Sequence, residues 1–419
     1  MRDQTAVQKA FESAAALYKE MGVDVHAAMK TAAAVPVSMH CWQGDDVIGF
    51  DADTLTGGIA ATGNYLGRAR TPQELREDIS QVISLVPGPK KLNLHASYAE
   101  KGNDKVDRDE YQVKHFQNWI DFAKENGMGM DFNPTFFSHS MMDGDFSLAS
   151  TKEKTRRFWI EHGKRCREIG KEMATQTGQP CVINYWMPDG YKDVPADTKA
   201  PRERMLASLD EMFAEKIDKN LVKDSIESKL FGLGIESYTV ASHEFSYGYA
   251  ISRNILYTLD AGHFHPTEVI SAKLSAALCY LDEVLLHVSR PVRWDSDHVI
   301  LFDDELQAIM KEAVRGDYLS RIHIGLDFFD ASINRVAGWV IGLRNAKKAI
   351  LYALCEPSEM IRAFEVEGDY THRLAWMEEF KTLPFAAIWD YYCMQEGVPV
   401  GGDWISHVEQ YENDVLSKR

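Results

Sequence analysis

Five carboxylates, Glu227, Asp260, Asp295, Asp297 and Asp327, and two histidines, His263 and His287, stand at or just past the ends of short apolar runs in the second half of a 419-residue chain. Carboxylate oxygens are hard ligands and imidazoles are borderline, so the mixture suits manganese, cobalt or zinc better than calcium. Crowded carboxylates repel one another and lose hydration, and a divalent cation is the simplest compensation. Taken singly these residues say little. Asp260 and His263, in the string DAGH, could end any strand; Asp295 and Asp297 read equally as a turn or a helix cap; a lone His287 in LLHVS reads as a core histidine. Their recurrence on successive strand ends is what gives them weight. Lys229, two residues after Glu227, shares its face and reads either as an ion-pair partner or as a cation aimed at a substrate oxygen. Trp186 reads as core packing or as an apolar wall shielding reacting carbons, and His95 as a core residue or a hydrogen-bonding partner of the substrate. His323 sits deeper in its run than Asp327 and reads as structural.

Elements of matching length must position these groups. Eight runs of strand length recur: VPVSMHCW (35–42), KKLNLHAS (90–97), GMGMDFNP (127–134), CVINYWMP (181–188), IESKLFG (226–232), ILYTLDAG (255–262), VLLHVS (284–289) and RIHIGLDFF (321–329). Segments with helical periodicity lie between them, among them TPQELREDISQVISLV, KHFQNWIDFAKENG, APRERMLASLDEMFAEKI and PTEVISAKLSAALCYLDEVL. Strand and helix alternating eight times is the pattern of a (β/α)8 TIM barrel, an α/β fold. An open doubly wound sheet shares the alternation, but no GxGxxG or GxxxxGKS phosphate loop accompanies it. Polar residues two apart mark strand after strand: Asn93 and His95, Asp131 and Asn133, Asn184 and Trp186, Glu227 and Lys229. With helices covering the outside, these alternating groups are expected to point into the barrel mouth. Residues 1–350 are read as the barrel with an N-terminal helix, and residues 351–419 as a C-terminal helical extension that packs on a neighbouring subunit or caps its own barrel. The string GDDVIGFDADTLTGGIAATGNY reads as a long loop over the mouth that orders when substrate binds.

The composition, 45% hydrophobic and 26% charged, belongs to a globular protein with a large core. A net charge of −17 disfavours a nucleic-acid partner, which needs clustered Lys and Arg. Six scattered cysteines, none in a CxxC, are expected to be reduced thiols of a cytoplasmic chain. The charged N-terminal stretch does not read as a signal peptide, and no apolar run is long enough for a membrane span.

The strings SMHCWQGDDVIGF, GGIAATGNYLG, PGPKKLNLHA, ESKLFGLGIESYTV, LDAGHFHPTEVIS, HVSRPVRWDSDHV and HIGLDFFDASINR resemble the L-rhamnose isomerase family, within the xylose-isomerase-like group of barrels. The resemblance runs from about Pro36 into the C-terminal helices. It implies two divalent metals per subunit, manganese first and zinc or cobalt as alternatives. Glu227, Asp260, His287 and Asp327 match the structural-metal ligands, and Asp260, His263, Asp295 and Asp297 match the site of the metal that assists chemistry. Lys229 matches the lysine near the substrate's O1, Trp186 the tryptophan wall and His95 a sugar-contacting histidine. The implied activity is that of a metal-dependent intramolecular oxidoreductase: aldose to ketose isomerisation of L-rhamnose by hydride shift from C2 to C1, Asp297 orienting a water that relays the hydroxyl proton. No organic cofactor is implied. A homotetramer working in cytoplasmic sugar catabolism is.

Three other readings stay open at this point. They are the same chemistry on a different aldose, a metal-dependent hydrolase cutting phosphodiesters on a similar barrel, and a sugar-binding barrel with a purely structural ion. The acidity of the chain argues against the second, and Lys229 beside so many carboxylates against the third.

Overall fold

Eight parallel strands close on themselves in chain order, each paired with its neighbours in sequence and the last with the first. They are β1 (Val37–His40), β2 (Lys90–His95), β3 (Gly129–Asn133), β4 (Cys181–Tyr185), β5 (Val222–Glu227), β6 (Leu256–Asp260), β7 (Val284–Val288) and β8 (Ile322–Leu326). Closure pairs Val37 with Ile324 on one side and with Lys90 on the other. This computed structural model describes residues 3–51, 61–229, 237–265, 267–290 and 298–419. The expected mouth loop therefore lies partly outside the described residues.

Helices α1 (Gln4–Glu20) and α2 (Val25–Ala32) precede β1. After the successive strands come α3 (Pro72–Ile83), α4 (Gln117–Glu125), α5 (Glu153–Thr177), α6 (Lys199–Met212), α7 (His243–Arg253), α8 (Ser271–Leu278), α9 (Asp304–Arg315) and α10 (Arg335–Leu354). Local chemistry sets their starts: Thr71 accepts from the Glu74 amide at 3.1 Å with Pro72 in the first turn, Asp303 from Leu306 at 3.0 Å, and Asn334 from Ala337 at 2.9 Å. The main core fills the layer between sheet and helices, whereas Val182, Leu256 and Leu285 form a separate buried cluster. These three share strand faces with Asn184, Thr258 and His287, so they fill the barrel's interior beneath the polar mouth.

The fifth strand differs from expectation. It covers Val222–Glu227, four residues earlier than the run IESKLFG, whose last three residues lie outside the described residues. Lys223 and Asp224 break the apolar pattern of its first half. Each is satisfied by a distant partner: Lys223 by Glu283 at 2.5 Å, and Asp224 by Arg167 at 3.0 Å and the Tyr185 hydroxyl at 2.9 Å. Asp131 also departs from the expected mouth position. It pairs with Lys91 and accepts from the Val182 amide at 2.8 Å, while Lys91 reaches the Pro180 carbonyl at 2.7 Å, deeper in the barrel. His323 lies 2.6 Å from Glu283, the structural role its depth suggested.

The tail continues through α11 (Ser358–Val366), α12 (Tyr370–Glu379), α13 (Phe385–Gln395) and α14 (Trp404–Asp414). The division expected at residue 350 falls inside α10. Tyr391 stacks on Phe11 of α1 with ring centroids 3.8 Å apart, and buried Arg344 of α10 donates to the carbonyls of Leu85, Pro399 and Gly401. Near the mouth, Glu412 accepts from the Tyr65 hydroxyl at 3.0 Å and from Asn334 at 2.7 Å. The tail therefore packs against α1, α10 and loops of its own chain. All six cysteines are free thiols, as expected. No described helix is long and apolar enough to cross a membrane.

Candidate metal centre

Strands β5 and β6 end on Glu227 and Asp260, His287 is the penultimate residue of β7, and Asp327 follows β8 directly. The period of two turns each inward, and the barrel's curvature brings one ligand atom of each within 4.8 Å of the others. From His287 Nδ1 the distances are 3.2 Å to Asp327 Oδ2, 3.5 Å to Asp260 Oδ2 and 3.7 Å to Glu227 Oε1.

Each carboxylate is tied by one oxygen and aims the other at this common point. Asn184 Nδ2 donates to Glu227 Oε2, the Gly262 amide to Asp260 Oδ1 at 2.6 Å, and Trp42 Nε1 to Asp327 Oδ1 at 3.0 Å. Asn184 is itself oriented by Thr258, whose hydroxyl donates to Oδ1 at 2.7 Å. Such outer partners are what orient ligands around a metal. Glu227 Oε1 and both ring nitrogens of His287 are buried and make no hydrogen bond. Buried polar atoms left without partners are rare and costly. Their spacing also fits an ion: ligands about 2.1 Å from a metal lie roughly 3.0–3.4 Å apart. The residues present therefore fit a divalent cation.

Electrostatics agree. Burial would raise Glu227, yet the imidazoles of His287 and His263 overcome it and hold the carboxyl below its usual range. Burial acts on His287 in the opposite sense, and the surrounding carboxylates Glu227, Asp260 and Asp327 push it well above an ordinary histidine. Asp260 is raised by its own burial. The centre demands positive charge, and a proton on His287 answers that demand only partly.

The other expected residues among those described adjoin this centre. His263 Nδ1 lies 2.8 Å from the Ser228 carbonyl and 3.0 Å from Glu227 Oε1, and its Nε2 is 3.3 Å from Lys229 Nζ. Lys229 Nζ stands 5.6 Å from the centre of the Trp186 ring. Trp186 meets Phe137 edge-on at 5.5 Å, Phe137 meets His95 at 5.6 Å, and His95 meets Trp42 at 4.5 Å, giving an aromatic arc around the mouth. Burial lowers His95 to about 3, so it is a neutral ring, with Nδ1 3.0 Å from the Thr135 hydroxyl. Asp295 and Asp297 lie outside the described residues, between Arg290 and His298, which pair across a short bridge.

Trp42, Phe137 and the orienting role of Asn184 escaped the sequence reading. Asn184 carried a signal, standing two residues before Trp186 at a strand end. Trp42 carried little, since its partner Asp327 is 285 residues away. Gly325 is a further contributor: a Cβ there would meet His287 Cδ2 at 3.3 Å, so the glycine leaves room for the ring.

A closed (β/α)8 barrel carrying a buried carboxylate and imidazole centre at the C-terminal ends of its strands is the architecture of a metal-assisted barrel enzyme. The family model for L-rhamnose isomerase matches residues 5–419, and the chain belongs to that family. The L-rhamnose isomerase of Rhodopirellula baltica is 57% identical over 416 residues, covering 99% of this chain and 97% of that one. That of Klebsiella pneumoniae is 55% identical, covering 99% of both chains, and that of Listeria monocytogenes 53% identical, covering 100% of both.

Proposed function

We propose that this protein interconverts L-rhamnose and L-rhamnulose, with hydrogen passing between C2 and C1 of the sugar and two divalent ions bound per subunit. Manganese is the first choice, zinc and cobalt the alternatives. Family membership over residues 5–419 supports the isomerase reading over hydrolysis or simple sugar binding. The observation that carries the metal requirement is the set of carboxylates on Glu227, Asp260 and Asp327, each tied by one oxygen and pointing the other at His287.

Glu227, Asp260, His287 and Asp327 would hold one ion; Asp260, His263, Asp295 and Asp297 would hold the second, Asp260 serving both. An ion there supplies Lewis acidity toward the sugar's oxygen atoms. Lys229, 3% exposed, brings a fixed positive charge to the negative charge developing on O1. Trp186 and Phe137 keep solvent from the reacting carbons. His95, neutral and engaged through Nδ1, presents Nε2 to a sugar hydroxyl. Asp297 takes the part of orienting the water that relays the hydroxyl proton.

The extension, residues 351–419, is proposed to join subunits into a homotetramer. Helix α12 buries no residue in its own chain, and Val366, Tyr370 and Leu374 are 82%, 59% and 58% exposed around it. Large apolar side chains left this exposed suit contact with another copy.

The test is proton NMR on L-rhamnose deuterated at C2, with protein stripped by EDTA and then resupplied with manganese. Metal-dependent ketose carrying deuterium at C1 is expected. Ketose with the label washed out would replace the direct transfer with an enediol route, and no ketose from L-rhamnose but ketose from another aldose would reassign the substrate.

A further inference from the structure

Behind the centre, on the outward side of β5 and β6, three polar side chains form a chain that the proposed reaction does not use. Ser228 Oγ lies 2.6 Å from the Tyr257 hydroxyl, and that hydroxyl lies 2.7 Å from His243 Nδ1 at the start of α7. Ser228 and Tyr257 are fully buried. Ser228 stands between Glu227 and Lys229, so whatever holds it holds the backbone joining a ligand to the substrate-facing lysine. Both flanking peptides are pinned too. Ser246 Oγ donates to the Glu227 carbonyl at 3.2 Å, and the Lys229 amide donates to the Ala241 carbonyl at 3.0 Å. The Ser228 carbonyl lies 2.8 Å from His263 Nδ1, at the edge of the centre.

A carbonyl can only accept, and the Glu227 carboxylate 3.0 Å from the same nitrogen repels a lone pair. Nδ1 of His263 therefore carries the proton, and Nε2 carries the lone pair that a cation needs. We infer that His243, Tyr257 and Ser228 are positioning residues which, by fixing the Ser228 peptide, set the tautomer of His263 and so its competence as a ligand. The inference rests on the metal reading of the centre proposed above. None of the three touches the sugar or the ion in this scheme; they act through one backbone carbonyl.

The test is a visible-absorption titration of EDTA-stripped protein with Co2+, on wild type, Tyr257→Phe, Ser228→Ala and the double variant, with kcat and KM for L-rhamnose measured alongside. Outer-shell partners of ligating histidines typically account for about 10–100-fold in metal affinity. Each single variant is expected to bind Co2+ about tenfold more weakly and to lose kcat at saturating metal with little change in KM. The double variant should lose no more than either single one, since all act on the same carbonyl. Should Tyr257→Phe fail to fold, Ser228→Ala carries the same reading. Unchanged Co2+ affinity and spectrum in a folded variant overturns the inference, as does a double variant whose loss is the product of the single losses. Wild type that binds Co2+ in the expected pattern but turns over no L-rhamnose sinks the proposed substrate and leaves the positioning network standing. Turnover in wild type with unaltered Co2+ binding in the variants does the reverse.

Discussion

Replacing Trp42 with phenylalanine should weaken metal binding through a residue that never touches the metal. Trp42 is 2% exposed, and its Nε1 donates to Asp327 Oδ1 at 3.0 Å, leaving Oδ2 3.2 Å from His287 Nδ1. Phenylalanine keeps an aromatic ring against His40 and His95 but removes the donor. A hydrogen bond to a charged acceptor contributes about 1.5–3 kcal/mol. The Asp327 side chain keeps 20% of its surface exposed, so water partly replaces the lost donor and the lower figure applies. About 1.4 kcal/mol corresponds to a tenfold change in affinity. The smaller ring also leaves a void, costing roughly 1–2 kcal/mol of fold stability whether or not metal is present. The two effects separate in thermal unfolding scans run in EDTA and in excess manganese. The void lowers both midpoints, whereas lost affinity shrinks the gap between them by about 1.4 kcal/mol at saturating metal. Calorimetric titration with manganese should show the tenfold loss directly. A variant with a lower midpoint in EDTA but an undiminished metal-induced gap would reduce Trp42 to packing and refute the orienting role.

Asp327→Asn is expected to lower metal retention on a chelating column and to lower the thermal midpoint, whereas Asp297→Asn should fold normally and lose turnover; near-normal turnover would remove Asp297 from the proton relay. Gly325→Ala places a methyl 3.3 Å from His287 Cδ2, so manganese affinity should fall a few-fold by titration, and an unchanged constant would mean the ring yields freely. Glu283 is held down at about 2, first by its hydrogen bond with His323 and then, against the opposing effect of burial, by Lys223. Its folded value lies below the unfolded one, so its contribution is complete above the ordinary glutamate range near 4.5 and fades as the pH falls toward 2. Glu283 is partly solvated, so solvent screening reduces the effect to roughly 1 kcal/mol. The stability gap between wild type and Glu283→Gln in urea unfolding should be present at pH 7 and shrink toward pH 3; a gap independent of pH would contradict it.

Much of the centre was legible in the chain because strand geometry is local. A period of two puts Glu227 and Lys229 on one face, and apolar runs that carry Asp260 and His287 near their ends mark where strands leave the core. The count of eight such runs was enough for the barrel, since closure in chain order needs no information beyond the alternation. Local reading failed where a polar side chain is paid for by a distant partner. Lys223 and Asp224 hid the start of β5 because Glu283 and Arg167 cannot be assigned to them from pattern, and Asp131 was placed at the mouth because Lys91 is 40 residues away. The types of the residues that meet at the centre were thus written in short segments, while their orientation was not. Which oxygen of Asp327 faces the centre depends on Trp42, 285 residues back, and which nitrogen of His263 carries the proton depends on a carbonyl 35 residues before it. A side chain's chemistry belongs to its residue type, but its rotamer and tautomer belong to the neighbours that folding brings to it.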